Sequence, residues 1–208
     1  MSRRPRARSS APVRTLLRSL GLPAKLVTLL LALGAAAGWW LQQDAPKPRQ
    51  PDQPGQSYVL SGRVVEVADG DTLTLQAEGG RRRIRLASID APEKGDAGRP
   101  GQPFGRAAGR HLAQLLPAGT LQARCYERDQ YDRDVCDLML PDGSTANRRQ
   151  VQAGMAWANM QGQGRYMRDD ALPAMQQAAR QAGHGLWSQP GWVEPWVWRY
   201  RCWNQGQC

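Results

Sequence analysis

Histidine and closely spaced cysteine pairs are almost missing from this sequence. Its 208 residues hold only His111 and His184, in unrelated contexts, and four cysteines with no C-x-x-C among them. That scarcity excludes a zinc site of the usual Cys/His kind. No internal repeat is present, which excludes a solenoid or an array and leaves one domain of ordinary size with tails. Acids are scarce at the N-terminal end, where residues 1–55 carry nine Lys/Arg against two acids, +7 of the net +10. The remaining 153 residues carry only +3, so the pI near 10.2 describes a basic tail more than a basic domain surface.

Long hydrophobic runs are missing too, with one exception. After Arg3, Arg4, Arg6, Arg8, Arg14, Arg18 and Lys25 comes the run LVTLLLALGAAAGWWL, Leu26 to Leu41. Sixteen residues is slightly short for a bilayer, a mismatch that snorkelling and local thinning absorb. Trp39 and Trp40 suit an interfacial belt, and the basic flank predicts a cytoplasmic N-terminus with the rest of the chain outside. A cleaved signal peptide is the alternative, because Ala35–Ala37 form an A-x-A-like site, and the product would then be secreted. The organisation expected is a basic cytoplasmic tail (1–25), a transmembrane anchor or signal h-region (26–41), a Pro-rich linker (42–57), a folded domain (58–188) and a Trp/Cys-rich C-terminal extension (189–208). Prolines 46, 48, 51 and 54 make the linker a semi-rigid spacer.

An even number of cysteines in an exported chain reads as disulfides. Spacing favours Cys125 with Cys136, across a hairpin, and Cys202 with Cys208, closing a small loop. Trp192, Trp196, Trp198 and Trp203 in the extension either cover the domain or dock a partner, and the first is the plainer reading.

In the domain, YVLSGRVVEV (58–67), 71–77 and 81–90 read as a three-strand meander with Gly79 and Gly80 at a turn. FGRAAGRHLAQLL (104–116) has helical period and stops at Pro117. TLQARCYE and VCDLMLPDG read as two more strands, followed by helices near 146–155 and 169–182. Five short strands with interspersed helices suggest an α+β fold, a small closed barrel with about three helices around it.

The stretch DGDTLTLQAEGGRRRIRLASIDAPE, 69–93, places acids at both ends of one hairpin. With Gly79 and Gly80 as the turn, Leu75 faces Ile84, Leu73 faces Leu86, Asp71 faces Ser88 and Asp69 faces Asp90. Three carboxylates then converge at one end of the barrel. Like charges about 4 Å apart repel by roughly 4 kcal/mol per pair at an effective dielectric near 20, so the cluster calls for a cation. All candidate ligands are oxygens, which points to a hard ion, calcium before magnesium. A solvated Asx-type turn is the bland alternative for D-G-D-T alone, and the acids at 90 and 93 weigh against it. Pro92 presents Glu93 beyond the cluster, where a carboxylate could take a proton from water. Arg133, amid Asp129, Asp132 and Asp134, is either paired with its neighbours or a phosphate-binding fork.

Together VVEVADGDTLTL, RIRLASIDAPE, DQYDRDV, NRRQVQAGMAW and ARQAGHGLW resemble, in order, the elements of the thermonuclease (staphylococcal-nuclease-like) family over about residues 58–188. The resemblance implies a five-stranded OB-fold barrel and a calcium-dependent endonuclease of low sequence specificity that leaves 3′-phosphates, acting as a monomer on DNA, with RNA open as a second substrate. It implies Asp71, Asp90 and the Ala91 carbonyl as metal ligands, Asp69 nearby through water, Glu93 as general base, and Arg85 and Arg133 on the transition state. The register above puts Arg85 on the outer face, so its role rests on the resemblance alone. Asp132 stands where the family often has Gly and Ala91 where Thr is frequent, while Trp157 or Tyr166 would replace the nucleotide-stacking tyrosines. A non-catalytic OB module that binds nucleic acid or protein is the rival reading.

Overall fold

The computed structural model describes residues 57–208, so the basic tail, the apolar run and the proline spacer lie outside the described residues. Among the described residues no helix is long and apolar enough to cross a membrane. Strands β1 (Tyr58–Val67), β2 (Thr72–Ala77) and β3 (Gly80–Leu86) form the meander. The two-residue strand β4 (Ile89–Asp90) follows, then helix α1 (Gly105–Leu115), β5 (Thr120–Arg128) and β6 (Asp134–Met139). Helix α2 (Ala146–Gln152), strand β7 (Trp157–Ala158) and helix α3 (Leu172–Gln181) complete the domain.

A closed barrel of order β1-β2-β3-β6-β5 results, with β3 and β6 parallel and β4-β7 forming a separate small ladder. Closure leaves the barrel itself without an edge strand. Leu73, Leu75, Ile84, Leu86, Leu121 and Leu138 fill its interior, and Ala108 and Leu112 of α1 with Val151 of α2 pack against the same core. Helices α2 and α3 are shorter than their sequence periods suggest. Thr145 caps α2 by accepting the Arg148 N–H, and α2 stops at Gln152 because the chain turns through left-handed Gly154.

The hairpin register corrects the expected one. Ala77 faces Gly80, Leu75 faces Arg82 and Leu73 faces Ile84. The turn residues are Glu78 and Gly79, and β3 begins at Gly80, whose φ of 119° starts the strand. This slip of two residues preserves each side chain's face, so the leucines expected inside are inside.

Two buried amides tie the helices to the barrel end. Asn147 donates to the carbonyls of Ala87 (2.9 Å) and Cys136 (3.1 Å), and Gln150 donates to those of Gly70 (2.5 Å) and Ala108 (3.1 Å). A buried amide without such partners would cost about 1–3 kcal/mol, so these bonds fix α2 against the loop 68–71. Cys125 and Cys136 face each other across β5 and β6 and are bonded, as are Cys202 and Cys208. The extension is ordered: Trp187 packs edge-on against both Trp157 and Trp192 at 5.2 Å, and helix α4 (Pro195–Trp198) runs into a π-helical turn, Arg199–Asn204. Its tryptophans do cover the domain.

Candidate active site

The loop between β1 and β2 is held close under α1. A Cβ on Gly70 would meet the methyl groups of Ala108 and Ala91 at 2.6 Å, so only glycine fits between the helix and the chain after β4. That contact sets Asp69 and Asp71 beside Ala91. Asp69 Oδ1 accepts the Asp71 N–H (3.0 Å), an Asx-type turn, while Asp71 Oδ2 accepts the Ala91 N–H at 2.6 Å and Oδ1 accepts the Thr72 hydroxyl at 3.0 Å.

Asp90 does not arrive by strand pairing with Asp69. Ser88 at φ 65° turns the chain out of β3, and Ile89 and Asp90 pair with Ala158 and Trp157 instead. The carboxylates still meet, because Arg85 joins them: Nη1 lies 2.8 Å from Asp71 Oδ2 and Nη2 2.9 Å from Asp90 Oδ1. Arg85 alternates with the core residues Ile84 and Leu86, so its face is the outer one, and the site is built there. Asp71 is 6% and Asp90 1% exposed, so neither charge is solvated. Burial pushes the Asp71 carboxyl well above the usual range, Arg85 opposes that rise, and Asp69 and Asp90 add to it. Arg85 is held above its ordinary value by Asp71 and Asp90 although burial works against its charge.

Glu93 sits on the irregular segment after β4. Its N–H is accepted by Gln102 Oε1 (3.2 Å). Burial raises its pKa, and Arg199 pulls the other way, with Nη1 2.5 Å from Glu93 Oε1. Arg199 also grips Asp90 through Nη2–Oδ2 (2.7 Å) and Nη1–Oδ1 (3.1 Å). Sequence reasoning missed Arg199. It lies 106 residues beyond Glu93 in the tryptophan-rich extension, and no spacing or motif there marks it.

Arg133 is not drawn into this cluster. Asp129 accepts from its Nε (2.8 Å) and its Nη2 (2.7 Å), and its guanidinium lies 5.3 Å from the Tyr131 ring centre. Asp129 is below its ordinary value: burial works upward, but the Arg133 backbone and side-chain hydrogen bonds outweigh it. Asp132 takes φ 61°, the left-handed turn that Gly would hold, and turns its carboxylate to Arg128 (2.6 Å). Of the two stacking candidates, Trp157 is 3% exposed and enclosed by the second core cluster, so it offers no open face to a base. Tyr166 is exposed at the surface beside Arg165.

The profile of the staphylococcal nuclease homologues matches residues 83–189. The chain belongs to the staphylococcal nuclease family. It is accordingly a nuclease, a hydrolase. It is 39% identical over 142 residues to a protein of Escherichia coli O157:H7 named "Uncharacterized endonuclease", an alignment covering 68% of this chain and 86% of that one. A protein of Shigella flexneri named "Micrococcal nuclease" is 38% identical over 149 residues, 66% of this chain and 79% of its own. A further "Uncharacterized endonuclease", from Haemophilus influenzae, is 34% identical over 138 residues, 66% of this chain and 71% of its own.

Asp71 and Asp90 present hard carboxylate oxygens, donors that would suit a divalent cation. Among the described residues no three His, Cys, Asp or Glu stand together so as to enclose an ion. The expected convergence of three carboxylates is thus corrected: Asp69 is turned onto the Asp71 N–H, and arginines lie between the others. Burial is the main cause of the raised Asp71 pKa, with Asp69 and Asp90 adding to it, and the carboxylates are hard oxygen donors.

Proposed function

We propose that the chain is a calcium-dependent endonuclease that hydrolyses phosphodiester bonds of DNA, and of RNA as well, with low sequence specificity and 3′-phosphate products. The observation that carries this reading is the buried Asp71–Arg85–Asp90 arrangement with Glu93 on its rim. Asp71, Asp90 and the Ala91 carbonyl would hold the calcium ion, with Asp69 reaching it through water. The ion would supply positive charge to the non-bridging phosphate oxygens. Glu93, its pKa raised by burial, would take the proton from the attacking water. Arg85 is fixed on a strand and would donate to the phosphate as negative charge develops there. Arg133 would join it by exchanging Asp129 for phosphate. A site built from carboxylates and arginines addresses the backbone phosphate, which supports low specificity and leaves RNA as a second substrate.

The nuclease domain belongs outside the cytoplasm in this proposal, tethered by the span at 26–41. The basic flank, the tryptophan pair and two disulfides within 57–208 support that placement. The intact chain should then fractionate with membranes while external protease cuts its domain, whereas a soluble form starting near Gly38 would establish signal cleavage.

Incubating the full chain with plasmid DNA, first with calcium and then with chelator, tests the activity. Calcium-dependent nicking is expected. Retarded but uncut DNA under both conditions would favour a binding module over an enzyme.

A further inference from the structure

The segment that carries Glu93 has little structure of its own. Between β4 and α1, about fourteen residues form no helix and only an isolated bridge, Asp96 with Arg99. A general base needs placement to within a fraction of an ångström, and irregular chain does not supply it. The C-terminal extension supplies what is missing. Gln102, which accepts the Glu93 N–H, donates to the Val193 carbonyl at 2.5 Å. The indoles of Trp198 (3.4 Å) and Trp203 (3.0 Å) both donate to the Pro100 carbonyl, and the Arg99 guanidinium lies 5.2 Å from the Trp203 ring centre. Cys202 is buried and its bond to Cys208 closes the end of this strap.

The strap delivers one charged group. Arg199 is the only cation that engages the Glu93 carboxylate among the described residues, and it does so while its fork holds both oxygens of Asp90. Asp90 Oδ1 is shared with Arg85, which comes from the barrel wall, so the carboxylate is clamped between two arginines of different origin. Arg199 lies outside the family-matched residues, which end at 189.

The geometry points to Arg199 as a positioning residue of this nuclease: it orients Glu93 for proton abstraction through Oε1, leaving Oε2 for water, and shares Asp90 with the metal. The inference rests on the nuclease reading above. The burial of Arg199 works against its charge, yet Asp90 and Glu93 hold its pKa well above the ordinary value, so it stays charged wherever the enzyme works.

Arg199→Ala, Arg199→Lys and, as a control on the same turn, the exposed Tyr200→Ala test it in the full chain. Turnover, KM and calcium affinity by calorimetry are read together. Arg199→Ala should lower kcat by about tenfold to a hundredfold, the scale of a misplaced catalytic group, with little change in KM. It should bind calcium several-fold more tightly, because a competing charge has left Asp90. Guanidinium ion at millimolar concentration should restore part of its kcat, at matched ionic strength, and not that of the unmodified chain. Lys keeps the charge but not the fork, so Arg199→Lys should fall between the two. A rise in kcat for Arg199→Ala would make the strap an inhibitor, and a loss confined to KM would make Arg199 a phosphate holder. Either result overturns the positioning role, as does unchanged kcat. If the unmodified chain cuts no DNA, the nuclease reading fails separately, and unchanged calcium affinity in Arg199→Ala still overturns this inference.

Discussion

Two halves of the site are held in different ways. Asp71 and Arg85 stand on the barrel and Asp90 on the short strand after it, and Arg85 joins the two buried carboxylates at 2.8 and 2.9 Å, with Arg199 added on Asp90. Glu93 and Arg133 stand on irregular segments and are held by partners near 2.5 and 2.7 Å, Arg199 and Asp129, that are not part of the barrel. The charge-bearing half is thus preorganised by folding, whereas the half that moves protons and grips phosphate is positioned from outside. Removing the arginine shared by the first half should therefore damage fold and chemistry together, whereas a loss from the second half should damage chemistry alone.

Arg85→Ala should show the largest effect. It leaves Asp71 and Asp90 buried without their shared counter-charge, a loss of about 3–5 kcal/mol when one partner of a buried pair goes. Activity should fall by about a hundredfold to a thousandfold, the scale for one lost charge-stabilising donor. Thermal unfolding and turnover measured on the same sample check both. Asp71→Asn separates the two effects within the same half. A carboxyl raised above its unfolded pKa contributes stability that is complete below the unfolded value and lost as pH rises through the folded one. At neutral pH and in chelator, Asp71→Asn should melt a few degrees above the unmodified chain, while activity is lost.

In the second half, Arg133→Ala should lower kcat by about a hundredfold with no comparable loss of melting temperature, because Arg133 is tied only to its own loop. An effect on affinity alone would make Arg133 a phosphate holder. Glu93 sharpens the comparison through pH. Burial raises its pKa and Arg199 only partly offsets that, so kcat should decline on acidification at a pH above the ordinary glutamate value of about 4.3. A profile flat down to that value would break the assignment of Glu93 as base. The smallest effect is expected at Asp132. Asp132→Gly keeps the left-handed turn and removes a negative charge near the phosphate loop, so activity should rise modestly.

Much of the barrel half was legible because period and chemistry agree there. Alternation in β1 to β3 marked Leu73, Leu75, Ile84 and Leu86 as core, and a register error of two residues could not change their face. The meeting of Asp71 with Asp90 was foreseen for a wrong reason, strand pairing, since the left-handed Ser88 that redirects the chain has no signature in sequence. Arg85 is on the outer face as the alternation required, and only the turn of Asp90 beneath it makes that face a site. The second half was less legible. Arg133 beside Asp129 could be read as paired or free, and Trp157 looked available until Trp187 closed over it. Arg199 was invisible, because its contact with Glu93 depends on how a tail of tryptophans folds back.

The division of the site is tested most directly by calcium titration calorimetry on Asp71→Asn beside Glu93→Gln. The account predicts that Asp71→Asn loses calcium binding together with turnover, while Glu93→Gln binds calcium as the unmodified chain does and loses turnover. Normal calcium affinity in Asp71→Asn, or its loss in Glu93→Gln, would contradict it.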